Sequence, residues 1–174
     1  MTRIARSIVL IGFMGTGKSK VGRSLAKALG WKQFDTDSMI VQIFGIPIPE
    51  IFAQFGEARF RAEESAVLRN LTVERPSIIV SGGGGVLRPE NVTRMRELGT
   101  VVCLTTNDAT LEERLADRND RPLLPRENRA ETIRTLLRER EPYYQKAADL
   151  TFDTSELCPE EVATLILESL ALSR

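Results

Sequence analysis

The sequence predicts an α/β fold in which helices cover both faces of a parallel sheet of about five strands. Short apolar segments recur along the chain, and helical patterns separate them. Most of these segments lack polar alternation, which is typical of strands that are buried on both faces of a sheet. The predicted strands cover 7–11, 77–81, 100–104 and 150–153, and a further short strand ends at Asp35.

Length and composition indicate a single globular domain. The chain has 174 residues, enough for one hydrophobic core, so we expect one domain spanning 1–174. Hydrophobic residues make up 42% and charged residues 28%, which excludes a disordered chain. Lys+Arg and Asp+Glu are equal at 24 each, so we expect neither nucleic acid nor an anionic membrane as a partner.

The residue types that are scarce restrict the chemistry. The chain has no histidine, which excludes Ser-His-Asp catalysis and argues against zinc hydrolysis. Its two cysteines, Cys103 and Cys158, fit neither a metal site nor a disulfide framework. We therefore expect free thiols in a reducing compartment. No apolar stretch is long enough to span a membrane, and residues 1–7 are too short and polar for a signal sequence, so we expect a cytoplasmic protein.

Local signals predict where the helices begin and end. Gly30 is expected to end the first helix, which places 31–34 in the short strand at the edge of the sheet. Pro89 and Pro159 are suited to the first turn of a helix, and Gly99 to the end of one. The last helix is predicted to carry on one face Val162, Ile166 and Leu170.

The first strand leads into the most informative segment of the chain. Residues 12–19, GFMGTGKS, fit the Walker A pattern G-x-x-x-x-G-K-S at every fixed position. The glycines let backbone N–H groups converge on phosphate oxygens, and the start of the following helix adds unpaired donors. Lys18 is then expected to reach the β and γ phosphates of a nucleoside triphosphate, and Ser19 to bind Mg²⁺. The alternative is a glycine-rich turn that binds nothing.

Two carboxylates follow the short strand, in the sequence Asp35-Thr36-Asp37. On an extended segment, residues two apart project to the same side, so one carboxylate could serve the Mg²⁺ shell while the other accepts a proton from a substrate hydroxyl. The alternative is a pair that caps a helix, because Asp is common at strand-to-helix junctions. The position beside the phosphate loop favours the functional interpretation.

Residues 55–64 form a charged and aromatic stretch on a predicted helix. Arg61 and Glu64 are three residues apart, so they can pair along the helix and fix the guanidinium for bidentate capture of a carboxylate. The alternative is a surface salt bridge of little consequence. The spacing alone does not separate these two interpretations.

Four consecutive glycines at 82–85 follow the strand predicted at 77–81. Because ordering glycine is entropically costly, such a run indicates backbone that adopts positive φ or passes close to a ligand. A tight turn, the alternative, would need only one or two glycines. We therefore predict a ligand site lined by backbone.

The segment 117–129 differs from its surroundings. It carries four arginines and two prolines with few apolar residues, between two helical patterns. A loop of this length in a compact chain is usually functional or mobile. A solvated charged loop is the alternative.

Taken in order, these motifs make the sequence similar to the shikimate kinase family over nearly its whole length. The resemblance rests on 12–19, 35–37, the segment GIPIPEIF at 45–52, Gly56-Glu57 with Phe60-Arg61 and Glu64, 82–84, the segment RPLL at 121–124, and Arg140 with Pro142 and Tyr144. It implies a P-loop three-layer α/β/α sandwich similar to nucleoside monophosphate kinases. A substrate-binding region would cover about 36–64 and a mobile lid about 114–127.

The resemblance also implies how shikimate is held. Arg61 and Arg140 would bind its carboxylate, and Asp37 would lie at its hydroxyls. Together with the glycine run and with apolar residues that suit a flat carbocycle, the predicted shikimate-binding residues are Asp37, Phe52, Phe60, Arg61, Gly82, Gly83, Gly84, Pro122, Leu123 and Arg140.

For the nucleotide, the resemblance adds residues outside the phosphate loop. Arg121 would reach the phosphates from the lid, and Arg114 with Pro159 would flank the adenine. Asp35 would contact Mg²⁺ through water beside Ser19. The predicted nucleotide-binding residues are Gly15, Thr16, Gly17, Lys18, Ser19, Lys20, Arg114, Arg121 and Pro159.

The implied reaction transfers the γ-phosphoryl group of ATP to the 3-hydroxyl of shikimate and releases ADP, in a chain expected to be a monomer. Lys18, Arg121 and Mg²⁺ would offset charge on the transferred group, and Asp37 would orient the hydroxyl. Whether Asp37 is also a general base is open at this stage. Two alternatives remain: a P-loop kinase for another small hydroxy acid such as gluconate, and a ligand-binding relative without turnover.

Overall fold

The computed structural model describes residues 6–118 and 120–172, which form a five-stranded sheet in the order β2-β3-β1-β4-β5. Every strand pair is parallel. The strands are β1 Ser7–Gly12, β2 Gln33–Asp35, β3 Ile78–Val80, β4 Gly99–Thr105 and β5 Leu150–Asp153. The predicted fold class is confirmed. β3 is shorter than predicted, although Ser77 and Ser81 on either side of it still exchange backbone hydrogen bonds with β1.

Helices connect the strands and cover both faces of the sheet. They are α1 Lys18–Leu29, α2 Thr36–Phe44, α3 Ile48–Asn70, α4 Pro89–Leu98, α5 Asp108–Leu115, α6 Arg129–Ala147 and α7 Pro159–Leu172. The predicted boundary signals are confirmed: Gly30 ends α1 in the left-handed conformation, with φ 65°, and the two prolines begin α4 and α7. Both cysteines are free, Cys103 buried and Cys158 exposed.

The core forms two layers because side chains alternate along each strand. Ile8 and Leu10 of β1 pack on one face with residues of α1 and α7. Val9 and Ile11 pack on the opposite face, in a cluster that includes Leu68 and side chains of α4 and α6. Burial on both faces explains the continuous apolar character of the strands in the sequence.

A third, smaller cluster joins α2 to α3 away from the sheet, around Ile40, Ile51 and Phe60. α3 breaks at Gly56, whose φ of 79° and ψ of 166° are not helical. In the described part of the chain no single helix is long and apolar enough to cross a membrane. Only α2 and α3 taken together have the length and apolar composition that a span would need, and they are bent by 92° relative to each other.

Candidate active site

The site lies at the carboxyl ends of the strands, where β1 meets α1 through the phosphate loop. Gly15 and Gly17 have φ of 84° and 90°, a region that favours glycine, and Gly17 is the N-cap of α1. The Thr16 hydroxyl donates to the carbonyl of Phe13 at 2.8 Å and holds the loop closed. The loop thus has the geometry that the Walker pattern predicts.

Lys18 is folded back onto this loop. Its Nζ donates to the carbonyl oxygens of Gly12 and Phe13, both at 2.8 Å. Burial, with a smaller contribution from Arg121, lowers the pKa of the Lys18 ammonium to about 8, and Asp37 opposes the change. The ammonium therefore lies at the phosphate loop in a setting where added negative charge would be favourable.

Ser19 and Asp35 meet beside the loop. The Ser19 hydroxyl donates to Asp35 Oδ2 at 2.8 Å, and Asp35 Oδ1 accepts from the Ser38 N–H at 3.2 Å. Asp35 is therefore the N-cap of α2, as the capping alternative predicted, and it also lies beside the candidate metal-binding hydroxyl. The capping interpretation is confirmed for this residue, and its role at Mg²⁺ stays a prediction.

Asp37 corrects one expectation. It lies in the first turn of α2, not on an extended segment, because the helix begins at Thr36. Both carboxylates nevertheless line the same cavity. Asp37 Oδ1 is buried without a hydrogen-bond partner. Burial, together with the Asp35 carboxylate, raises the pKa of Asp37, while nearby cations oppose that rise.

The glycine run packs against these charged side chains. None of the glycines at 82–85 has positive φ, so close approach and not backbone conformation explains the run. A Cβ on Gly82 would lie 2.5 Å from Glu64 Oε1 and 2.6 Å from Asp37 Oδ1, and one on Gly84 would overlap the Arg61 guanidinium. At Gly83 the nearest atom would be 3.4 Å away, in the phosphate loop.

Arg61 pairs with Glu64 as the spacing predicted, at 2.9 Å. The alternative of an inconsequential surface pair is wrong, because the side chains are only 12% and 1% exposed. Glu57 approaches the same guanidinium at 3.3 Å. Burial raises the pKa of Glu64 above its usual range, although Arg61 lowers it. Arg61 is thereby fixed in place at the edge of the cavity described below.

Arg140 enters the site from α6 and is 5% exposed. Its guanidinium lies over the Phe13 ring, 5.8 Å from the centroid. Among the described residues it forms no ion pair with a carboxylate. A buried cation without a counter-ion is costly, and an anionic ligand would offset that cost.

The predicted lid folds over the site. Arg121 Nε is buried without a hydrogen-bond partner, and Leu124 is 4% exposed in the main core cluster. Arg129 ties the two ends of the segment together: its Nη1 donates to the carbonyls of Leu115 at 2.9 Å and Ala116 at 2.7 Å, and its Nε donates to Pro125 at 3.3 Å.

Two adjoining cavities are lined by the predicted site residues. The larger, about 440 Å³, is lined by every predicted nucleotide-binding residue, together with Asp35 and Asp37. The smaller, about 50 Å³, is lined by all predicted shikimate-binding residues except Gly82, and also by Glu64. Gly82 lies behind the carboxylates of Asp37 and Glu64 and so does not reach this cavity.

Sequence reasoning missed Thr154, which lines the larger cavity and supports the phosphate loop. The hydroxyl of Thr154, which is buried just after β5, lies 3.0 Å from the carbonyl oxygens of Thr16 and Thr105 and can donate to either. Arg114 donates to the Thr154 carbonyl at 2.9 Å and to Gly15 at 3.2 Å. The only available signal for Thr154 was its position after a strand, at the edge where parallel sheets bind ligands.

Comparison with known proteins agrees with this geometry. A family model described as shikimate kinase matches residues 14–171. A shikimate kinase of Thermodesulfovibrio yellowstonii is 45% identical over 163 residues, which are 94% of each chain. A structure described as shikimate kinase from Acinetobacter baumannii in complex with shikimate has a TM-score of 0.91 and 36% identity, covering 95% of this chain and 93% of that one. A gluconokinase from Sinorhizobium meliloti, 20% identical with a TM-score of 0.58 over 97% of this chain and 93% of its own, shares the fold alone.

Proposed function

The chain belongs to the shikimate kinase family, and we propose that it transfers the γ-phosphoryl group of ATP to the 3-hydroxyl of shikimate. The products are ADP and shikimate 3-phosphate, in a step of chorismate and aromatic amino-acid biosynthesis. The assignment rests on the family and on the arrangement of the two cavities.

One observation carries the proposal: the two cavities share part of their lining. The residues common to both are Met14, Asp37, Gly83 and Arg121. A phosphoryl donor in the larger cavity and an alcohol in the smaller would therefore meet beside Asp37 and Arg121. Direct transfer requires such a junction, because catalysis here consists mainly of positioning and charge stabilisation.

The lining of the smaller cavity supports a carboxylate-bearing carbocycle as acceptor. Arg61 and Arg140 are both largely buried there, and buried guanidinium groups favour a carboxylate partner. The rings of Phe52 and Phe60 pack with centroids 4.9 Å apart and offer an apolar wall. An open polyol would gain less from that wall than a flat ring.

Asp37 has the setting for a proton acceptor. Its raised pKa makes the carboxylate a stronger base, and therefore a better acceptor for the proton that the substrate hydroxyl must lose. The Asp37 carboxylate lines the smaller cavity and could accept the hydrogen bond of the 3-hydroxyl. The proton would move to the carboxylate as the new O–P bond forms and the bond from the γ phosphorus to ADP breaks. Lys18 and Arg121 would lie on the transferred group and offset its charge.

Mg²⁺ fits the oxygen donors beside the loop. Ser19 Oγ and Asp35 Oδ2 lie 2.8 Å apart, and the described residues contain no group of three or more metal-ligating side chains. Mg²⁺ is commonly held by one or two protein oxygens with phosphates and water, which suits this pair. When bound, the ion would neutralise charge on the β and γ phosphates.

The lid would exclude water. Pro122 and Leu123, from the predicted lid, line the smaller cavity and could close over a bound acceptor. Closure would then protect ATP from hydrolysis.

We further propose that the protein acts as a monomer, since residues of one chain line both cavities. We also propose that it acts in the cytoplasm, where ATP is supplied.

A coupled ADP-release assay tests the proposal. With ATP and Mg²⁺ we expect rapid ADP release with shikimate, little with gluconate and almost none without an acceptor. Product analysis should give shikimate 3-phosphate. Equal release with gluconate would support the alternative acceptor, and release with no acceptor dependence would contradict a kinase assignment.

A further inference from the structure

Tyr144 is a buried phenol next to the site that does not line either cavity. Its side chain is 5% exposed, and it lies one turn after Arg140 on α6. The hydroxyl donates to the carbonyl oxygen of Gly83 at 2.5 Å. Tyr144 therefore contacts a residue that lines both cavities while remaining behind it.

The Arg140 guanidinium also interacts electrostatically with this phenol. A phenol can donate one hydrogen bond and accept another, so both contacts can be made together. Burial raises the pKa of the Tyr144 phenol well above its ordinary value, although Arg140 lowers it. The phenol consequently keeps its proton and remains a donor to Gly83.

Gly83 and Arg140 also adjoin each other. A Cβ on Gly83 would lie 3.8 Å from Arg140 Nη1. Tyr144 thus adjoins two neighbouring groups that line the smaller cavity: the Gly83 backbone and a guanidinium that has no carboxylate partner among the described residues. Long arginine side chains have many conformations, so a fixed partner reduces the entropy lost on binding an anion.

We infer that Tyr144 is a positioning residue for the acceptor carboxylate: its hydroxyl holds the Gly83 backbone beside the Arg140 guanidinium. This inference rests on the proposed function, because it assigns a partner to Arg140 within that site. Tyr144 itself lines neither of the two cavities.

The two tyrosines of the chain provide a matched pair of variants. Tyr143 is adjacent on α6 and 47% exposed, so Tyr143→Phe removes the same atom without touching the site. For Tyr144→Phe we expect the KM for shikimate to rise about tenfold, the size typical of one hydrogen bond to a charged group. The kcat should change less than about threefold and the KM for ATP should be unaffected, because the lost interaction serves acceptor binding.

A comparison of two ligands separates positioning from a merely structural role. Dissociation constants are measured for shikimate and for the analogue in which a primary alcohol replaces the carboxylate. If Tyr144 acts through the carboxylate site, Tyr144→Phe should weaken shikimate alone and reduce the preference for the acid about tenfold, whereas Tyr143→Phe should leave that preference unchanged. Equal weakening of both ligands would overturn the inference.

A measurement on the unaltered protein covers the case in which Tyr144→Phe does not fold. The ring carbon that bears oxygen is labelled with ¹³C in both tyrosines and observed by NMR. Shikimate should shift the signal of the buried Tyr144 more than the alcohol analogue does, and it should leave the signal of the exposed Tyr143 in place. Equal shifts would contradict the inference. Absence of any shikimate phosphorylation by the wild-type protein would instead refute the proposed function, so the two failures are distinguishable.

Discussion

Lys18 would exchange partners when nucleotide binds. In the structure its ammonium donates to two loop carbonyls, and burial brings its pKa to about 8. Phosphates would stabilise the charged form and raise that pKa again. The free protein therefore holds fewer protons on this group than the nucleotide complex at a pH above about 8, and the two hold the same number well below it.

We accordingly expect ATP binding near pH 8.5 to take up a fraction of a proton, approaching about one as the pH rises further. Calorimetry in two buffers of different ionisation enthalpy measures this uptake. Lys18→Met should abolish it and lower turnover at least about a hundredfold, as expected for a lost phosphate donor. Lys27→Met, an exposed position on the same helix, is the control. A binding heat independent of buffer would contradict the prediction.

Asp37→Asn preserves the shape of the side chain but removes its negative charge. We expect turnover to fall at least about a hundredfold while nucleotide affinity changes little, because Asp37 is assigned to the acceptor hydroxyl. Asp35→Asn, which alters the partner of Ser19, should instead raise the Mg²⁺ concentration required. The comparison uses steady-state kinetics with titration of ATP and of Mg²⁺. Retained turnover with lost ATP affinity would show that these roles are assigned wrongly.

Arg61 and Arg59 form a matched pair on α3. Each pairs with a glutamate, but the Arg59 side chain is 58% exposed whereas that of Arg61 is 12% exposed. Arg61→Lys should weaken shikimate binding at least about tenfold, because an ammonium cannot reproduce two parallel hydrogen bonds to a carboxylate. Arg59→Lys should have almost no effect. Calorimetry with shikimate measures both effects. If the two variants bound shikimate with equal affinity, Arg61 would not belong to the binding site.

Single residues also show what the sequence could reveal about the site. The phosphate loop was predictable because each fixed position has its own steric or chemical requirement. The setting of Asp37 was not predictable, because the two-residue spacing between Asp35 and Asp37 does not specify whether a helix begins between them. Tyr144 was visible only as part of a motif, and its contact with Gly83 joins residues 61 positions apart.

At the level of elements, the lid is anchored at both ends by Arg129. Near it, Asn128 has φ of 52°, the only non-glycine residue with positive φ in the described part of the chain. Side chains such as Asn adopt this region at some cost, which often marks a hinge or turn. The loop was predictable from its composition, whereas its anchoring to the C-terminal end of α5 required the three-dimensional structure.

We expect hydrogen exchange across 114–129 to slow when nucleotide and shikimate are both bound, because anions draw Arg121 inward. Arg129→Gln should weaken this protection and increase ATP hydrolysis without acceptor. Arg134→Gln is the control, since Arg134 also joins α6 to α5 through Glu112 at 2.7 Å but contacts no lid carbonyl. Equal protection in the free and doubly liganded protein would mean that the segment is a fixed loop.

For the whole molecule, the strand and helix order followed from local patterns, because strands buried on both faces are continuously apolar. The order of the strands within the sheet could not be predicted in this way, since sequence periodicity does not specify which strands pair. The packing of α2 on α3 was also beyond local signals, because the break at Gly56 lies within a helix-like pattern.

Binding of both ligands should stabilise the entire fold, since the site draws on elements from both halves of the chain. A ligand at one hundred times its Kd contributes about 2.7 kcal/mol, which corresponds to a rise in Tm of about 5–10 °C for a domain of this size. Thermal unfolding with ADP, shikimate and both together measures this. Gluconate serves as the control acceptor and should give no rise. An unchanged Tm with both ligands would contradict binding at this site.

The sheet order also has a consequence for biosynthesis. β1 is translated before β3 and β4, yet it lies at the centre of the sheet between them. Its apolar stretch therefore has no native partner until residues 78–80 and then 99–105 have been translated. Parallel pairing across such separations is slow, and an unpaired apolar strand is prone to aggregate. We therefore expect the nascent chain to be most prone to aggregation before β4 emerges, and the phosphate loop that follows β1 to gain its support only after that point.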